Sequence, residues 1–314
     1  MKTRPLILSI ALLSLYACDG KPVESNQSQT DAAPSHHAAA DAQHTPATEK
    51  QDAMPAPSAA DVGNLARAMG GGAAGIMPDD APKDKYGKPY IIGKIGNVPV
   101  NLPDSATSSV EYEDSPGFDI NKLRTYKPAK RSYDSAITSF GFDLHYTDGI
   151  VMDYQVNQNQ FEKERNIPGN DWIHVGVNAG SRAPSDNLYL NRFLETKTTY
   201  PLENYRFIKS DENPYGLESY IRHELIDKRP HVKGDSLYVK RNSEGNVVTY
   251  IKCSNNEVPS PPCTHHFMEF DDFVFDAYIS YDRHNLYDWQ KIEEAARNHF
   301  ETFRAEPKET SEIK

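Results

Sequence analysis

Phe273-Val274-Phe275-Asp276-Ala277-Tyr278-Ile279-Ser280-Tyr281, followed by the run from Trp289 to Phe303, decides the fold. In the first run Phe273, Phe275, Ala277, Ile279 and Tyr281 alternate with Val274, Asp276, Tyr278 and Ser280. Side chains alternate between the two faces of a strand, so this pattern predicts a strand with one buried apolar face. A few residues later the period changes. Trp289, Ile292, Ala296, Phe300 and Phe303 fall on one stripe, with Lys291, Glu294, Arg297 and Glu301 opposite, which predicts an amphipathic helix packed on that sheet. Asn285, with Asp288 three residues on, is the expected N-cap, and Pro307 stops any continuation. The expected fold is α+β, a predominantly antiparallel sheet closed by a C-terminal amphipathic helix.

Working back towards the N-terminus, the same alternation recurs. Ser236 to Arg241 and Val247 to Cys253 read as strands about the turn Asn242-Ser243-Glu244-Gly245-Asn246, and Phe267 to Phe270 as a further short strand. Tyr205 to Lys209 and Leu217 to Leu225 read as extended, split by a turn at Asp211–Gly216. Trp172 to Val177 and Ile137 to Tyr146 are strands, the second with Phe140, Phe142 and Leu144 on one face and Ser139, Gly141, Asp143 and His145 on the other. Asp148-Gly149 turns the chain into a return over Ile150–Tyr154. Val110 to Glu113 is a short strand. Pro89 to Leu102 predicts a hairpin about Gly96-Asn97. Asn187 to Tyr200 fits neither period, and no repeat recurs at a fixed spacing.

From Asp19 to Lys85 there is no Phe, Tyr or Trp, whereas 17 of the 18 tyrosines follow. A stretch rich in Ala, Pro, Ser, Asp and Gln buries too little apolar surface to offset the entropy of ordering it, so it reads as a disordered tether. Within it Val62, Leu65, Ala66 and Met69 have helical spacing, stopped by Gly70-Gly71-Gly72; local bias within disorder is the plainer reading. Upstream, Lys2 and Arg4 precede a short apolar run from Leu6 to Tyr16, the layout of a secretory signal and too short to span a bilayer. Leu15-Tyr16-Ala17-Cys18 resembles the lipobox of bacterial lipoproteins. The resemblance implies cleavage before Cys18 and attachment of a lipid such as palmitate to its thiol, anchoring the protein to a bacterial membrane on the periplasmic side. Asp19 resembles the inner-membrane retention signal of enterobacterial lipoproteins, which favours the inner membrane over the outer. The expected organisation is a signal peptide over 1–17, a lipidated tether over 18–85, one globular domain over 86–305 and a disordered tail over 306–314.

The net charge is −11, and loss of residues 1–17 removes two cations to leave −13. An acidic chain without a basic stripe has no footprint for nucleic acid phosphates. Apart from Cys18 the cysteines are Cys253 and Cys263, enclosing a Pro-rich loop; in an exported chain this pair is expected to form a disulfide. The competing reading is zinc on Cys253, Cys263, His265 and His266, but adjacent histidines on a strand point to opposite faces. His36, His37 and His44 lie scattered in the tether and define no metal geometry. Glu111, Glu113, Asp114 and Asp119 form an acidic cluster, ordinarily a solvated face and otherwise a place for Ca²⁺ or a basic partner. No metal or cofactor is expected.

Gly234-Asp235-Ser236-Leu237 matches the short signature of GDSL esterases and lipases, which would make Ser236 a nucleophile. Three departures weigh against it: the block falls past the middle of the chain, a strand-like segment follows it, and Asp282-Arg283-His284 lacks the Asp-x-x-His spacing of that family. The plainer reading is a Gly-Asp turn opening a strand. His145, His174, His223 and His231 are isolated in sequence. No catalytic residue is assigned.

Tyr250-Ile251-Lys252-Cys253-Ser254-Asn255, then Val258-Pro259-Ser260-Pro261-Pro262-Cys263, the strand ending Ile279-Ser280-Tyr281, Leu286 and Trp289-x-x-Ile292 together resemble a group of Gram-negative lipoproteins encoded beside lipase effectors of type VI secretion systems. These act as periplasmic immunity proteins. The resemblance spans about residues 85–305 and is sharp from Tyr250 to Phe303; its motifs are structural, so no functional residue carries over. It implies a non-enzymatic protein that binds a secreted toxin. The alternatives are a structural or assembly lipoprotein of the envelope and a GDSL-like esterase using Ser236.

Overall fold

The computed structural model describes residues 75–117, 119–222, 234–269 and 271–305. Cys18 with its signal and most of the tether, the three tether histidines, His223, His231 and the tail after residue 305 lie outside the described residues. Strands β1 (Ile91–Ile95) and β2 (Val98–Leu102) form the expected hairpin, with Ile95 opposite Val98 and Gly96 turning at φ +59. The remaining strands are β3 (Ser108–Tyr112), β4 (Ile137–His145), β5 (Ile150–Val151), β6 (Trp172–Ala179), β7 (Phe207–Lys209), β8 (Glu218–Arg222), β9 (Asp235–Arg241), β10 (Val247–Ser254), β11 (Pro262–Glu269) and β12 (Phe275–Asp282). They form one sheet in the order β3-β4-β6-β12-β11-β10-β9-β8-β7, with β5 beside β4, and every ladder between named strands is antiparallel. The helices are α1 (Ile120–Thr125), α2 (Gln158–Glu164), α3 (Tyr189–Thr198) and α4 (Trp289–Glu301).

One face of the sheet carries the main core. Phe142, Val175, Val177, Phe267, Phe275, Ala277 and Ile279 are buried there against Trp289, Ile292, Ala296 and Phe300 of α4, the stripe read from the sequence. The Phe275 and Phe300 rings lie 4.5 Å apart. The hairpin completes this layer through Ile91, Ile95, Val98 and Val100, and Asn101 N donates to Phe303 O at 2.8 Å. On the opposite face α3 buries Leu190 and Leu194 on Leu237, Val239, Val247 and Tyr250. The helix α2 sets Phe161 edge-on to Trp172, 5.0 Å between centroids, above Met152.

Four local expectations change. The segment of unclear period, Asn187–Tyr200, contains α3; its two buried leucines, four residues apart, meet the sheet as one helical face. The last helix is not capped by Asn285. A 3₁₀ turn over Arg283–Asp288 precedes it, capped by Asp282, whose carboxylate accepts from His284 N. Asn285 is buried instead, its Nδ2 donating to Asn170 O at 2.6 Å. The strand expected at Phe267 starts at Pro262, because the ladder with β12 extends from Pro262–Asp282 to Glu269–Phe275. The return after Asp148-Gly149 pairs only at Ile150 and Val151.

Candidate functional site

The residues singled out by sequence do not converge. Ser236 lies in β9, is 7% exposed, and its Oγ exchanges hydrogen bonds with the Asn255 side chain at 3.0 and 3.2 Å. Among the described residues no histidine or carboxylate reaches it. Gly234, at φ +70, leads into the strand, so the GDSL-like block opens a strand rather than a helix. Cys253 and Cys263 face each other across the β10–β11 ladder and are bonded. His265 is fully buried towards α4 while His266 points to the other face, where its Nδ1 lies 3.6 Å from Asp276, so the two share no ion. The acidic cluster is dispersed as well. Glu111 pairs with Arg182, Glu113 accepts from Ser181 Oγ, Asp114 pairs with Arg131 at 2.7 Å, and Asp119 caps α1. Among the described residues no group of three or more His, Cys, Asp or Glu side chains is placed to hold a metal ion.

What the fold does bring together lies on the sheet face opposite α4, between α2 and α3. Register sets Asp143, His174, Ser280, Thr264 and Lys252 side by side across β4, β6, β12, β11 and β10. The adjacent row reads Gly141, Gly176, Tyr278, His266 and Tyr250. Asp143, His174, Ser280, Thr264, Tyr278 and His266 are all half-buried. The two glycines shape this surface. A Cβ on Gly176 would overlap the Tyr278 ring, and one on Gly141 would stand 3.2 Å from His174 Cε1. Tyr278 therefore lies over bare backbone, the close approach that a glycine within a strand permits. At its lower end the face sinks into a depression of about 480 Å³ walled by Trp172, Arg165, Asp143, His174, Ser280 and Asp282.

A carboxylate only accepts, so His174 Nδ1–H donates to Asp143 Oδ1 at 3.0 Å. Asp282 Oδ2 takes the Gly169 amide at 2.8 Å, and its Oδ1 lies 2.7 Å from His284 Nδ1. Burial acts to raise the Asp282 carboxyl, but these backbone and imidazole hydrogen bonds prevail and hold it below its usual range. Asp143, His174 and Ser280 stand in the order of an acyl-transfer relay. Yet among the described residues no hydrogen bond joins Ser280 to His174. Ser280 also sits mid-strand between two ladders, where backbone N–H groups are spent on pairing rather than gathered to hold an oxyanion. The arrangement is a polar sheet surface with Tyr278 at its centre.

Sequence reading placed Tyr278, Ser280, Gly141 and Asp143 on polar strand faces but did not join them, since their proximity depends on β6 pairing with both β4 and β12. The one available signal was a glycine inside each of two apolar strand patterns.

No family model matches the chain, and no curated protein matches it. A solved structure that does match is an immunity protein of the Stenotrophomonas maltophilia type IV secretion system. It is 14% identical, with a TM-score of 0.45, over 73% of this chain and 100% of its own.

Proposed function

We propose that this chain is a non-catalytic binding protein that neutralises a secreted bacterial toxin, of the lipase class delivered by type VI secretion, while anchored to the periplasmic side of the membrane through lipid on Cys18. The observation that carries the binding role is the uncovered sheet face around Tyr278. It holds an aromatic platform on bare backbone, beside buried His266 Nδ1 and Asp276 Oδ1 atoms that have no hydrogen-bond partner, the composition of a protein interface. The resemblance of Tyr250–Phe303 to lipase-immunity lipoproteins supplies the partner class, and the lipobox supplies the anchor.

The test is co-expression with the product of a neighbouring toxin gene. A 1:1 complex, self-protection lost on deletion, and a Tyr278→Ala variant that stays folded but binds at least about tenfold more weakly are expected, as for a central aromatic anchor. Absence of both complex and protection rejects the reading. A complex indifferent to Tyr278→Ala moves the interface elsewhere. Cys18→Ser should leave the domain folded and release it from the membrane fraction.

A further inference from the structure

A second cavity, about 490 Å³, opens among Asp84–Tyr86, the loop after β2, the segment leading from β5 into α2, and the last turn of α4. Its size falls within the ~300–1,000 Å³ of ordinary ligand sites. Tyr86, Tyr90 and Phe303 line it, and Ile150 and Val156, also in its lining, are 48% and 68% exposed.

Its charges do not balance. Asp153 Oδ2 accepts from Tyr86 Oη at 2.7 Å and lies 3.1 Å from Lys85 Nζ. Asp84 spends Oδ1 on the amides of Tyr86 and Lys88, while its Oδ2 is buried without a hydrogen-bond partner. His299 Nε2 is likewise buried and unpartnered. Burial pushes the His299 imidazole down to about 4, so near neutral pH it adds no positive charge. Two carboxylates thus face one lysine, whose side chain is 67% exposed and whose Nζ sits 4.9 Å from the Tyr86 ring centroid.

We propose that this cavity binds an organic cation on an apolar stem, an ammonium or guanidinium group seated against Asp84 and Asp153 with its methylenes among Tyr86, Tyr90 and Val156. Such a group supplies the N–H donor that Asp84 Oδ2 lacks, the positive charge that the carboxylates lack, and a stem matched to the aromatic and aliphatic walls. Lys85 already holds a cation over Tyr86 and against Asp153, so it is the internal competitor that an incoming cation displaces. The same chemistry is offered by a free alkylamine or alkylguanidine and by a lysine or arginine side chain of a bound protein.

The experiment titrates the full chain with butylguanidinium, with its neutral counterpart butylurea, and with acetyl-Arg-Val-amide, following the His299 ring by NMR; no toxin is needed. Saturable binding of butylguanidinium that shifts His299, with none for butylurea, is expected. Affinity should fall about tenfold in Asp84→Asn, the weight of a charge-assisted hydrogen bond, and rise several-fold in Lys85→Met. The second variant lies on the surface and probes competition directly, which a purely structural role for Lys85 would not produce. A peptide that binds about tenfold more tightly than butylguanidinium assigns the cation to a protein side chain, and equal affinity assigns it to a free small molecule. Equal binding of butylurea and butylguanidinium, or affinity unchanged in both variants, overturns the proposal.

Discussion

At the scale of single residues, the buried pair between sheet and helix is the most consequential contact. His265 is fully buried, with Nε2 3.0 Å from Glu293 Oε2 on α4. The same oxygen accepts from Thr249 Oγ1 at 2.8 Å, and Oε1 takes Arg297 Nε and Nη2 at 3.0 and 2.9 Å. Burial alone would raise the Glu293 carboxyl; the His265 bond, the charges of His265 and Arg297, and the Thr249 bond outweigh it, so the carboxyl titrates below its ordinary 4.5. A folded pKa below the unfolded one gives stability that is complete above the unfolded value and lost as pH falls through the folded value. Chemical denaturation between pH 7 and pH 3 should therefore show stability declining once pH drops below about 4–5, with a shallower decline in Glu293→Gln. At pH 7 that variant should be less stable by about 1–3 kcal/mol, the cost of leaving buried donors poorly matched. An identical pH slope in both proteins would show that this carboxyl titrates in the fold as it does in the unfolded chain. That His265 and His266 face opposite ways was legible from strand alternation. The partner of His265 was not, because Glu293 reaches it only once α4 has docked across β11.

At the scale of elements, legibility followed the number of residues that share one face. Five apolar positions from Trp289 to Phe303 repeat at helical spacing, and all five are buried. In α3 only Leu190 and Leu194 are buried, while Tyr189 and Phe193 stack on one another at 5.9 Å and Phe193 leans on Tyr250 at 4.8 Å. Two leucines are too short a signal to fix a period. The contrast predicts a contrast in stability. Phe300→Ala should cost about 3–5 kcal/mol, since the ring is wedged among Phe142, Phe267 and Phe275. Trp289→Ala belongs in the same range and in addition gives up the Nε1 bond to Tyr215 O at 3.1 Å. Denaturant midpoints are the measurement, and a loss below about 1 kcal/mol for Phe300→Ala would contradict the packing of this helix. The disulfide acts on a different element, the β10–β11 hairpin. Its Pro-rich loop was legible as a closed loop, but the bond proves to be a cross-strand link, with Cys253 directly opposite Cys263. Replacing both cysteines by Ala should lower stability by about 2–4 kcal/mol, because the open chain gains freedom, with the hairpin kept in register by the ladder on both sides.

At the scale of the whole molecule, the sheet consists of two meanders joined along one seam. From β7 to β12 each strand pairs with the next in sequence, and β3, β4 and β6 do so on the other side apart from the short β5. The chain leaves β6 near the middle of the sheet, starts again at the far edge with β7, and works back until β12 pairs with β6 from Ser280–His174 to Phe275–Ala179. Alternation could identify the strands but not this seam, since a strand with one apolar face carries no mark of which neighbour it will take. The seam also assembles the Tyr278 face: Gly176 comes from one meander and Tyr278 from the other. On the main-core side the β1–β2 hairpin and α4 together supply the cover. Helix α4 follows β12 and packs on both halves through Phe142 of β4 and Phe267 of β11. The two halves should therefore not fold independently, and folding should be slow for the length of the domain, because the decisive pairing joins residues about a hundred positions apart. A chain ending after Glu269 retains every strand of the first meander and all but the last of the second. It nevertheless exposes Val175, Val177, Phe142 and Phe267, all of which are at most 1% exposed in the intact protein. Such a truncation should lose cooperative thermal unfolding and near-UV circular dichroism. A sharp two-state melt in it would show that a half-sheet is stable alone, and that β12 and α4 form an appendage rather than the closure of the fold.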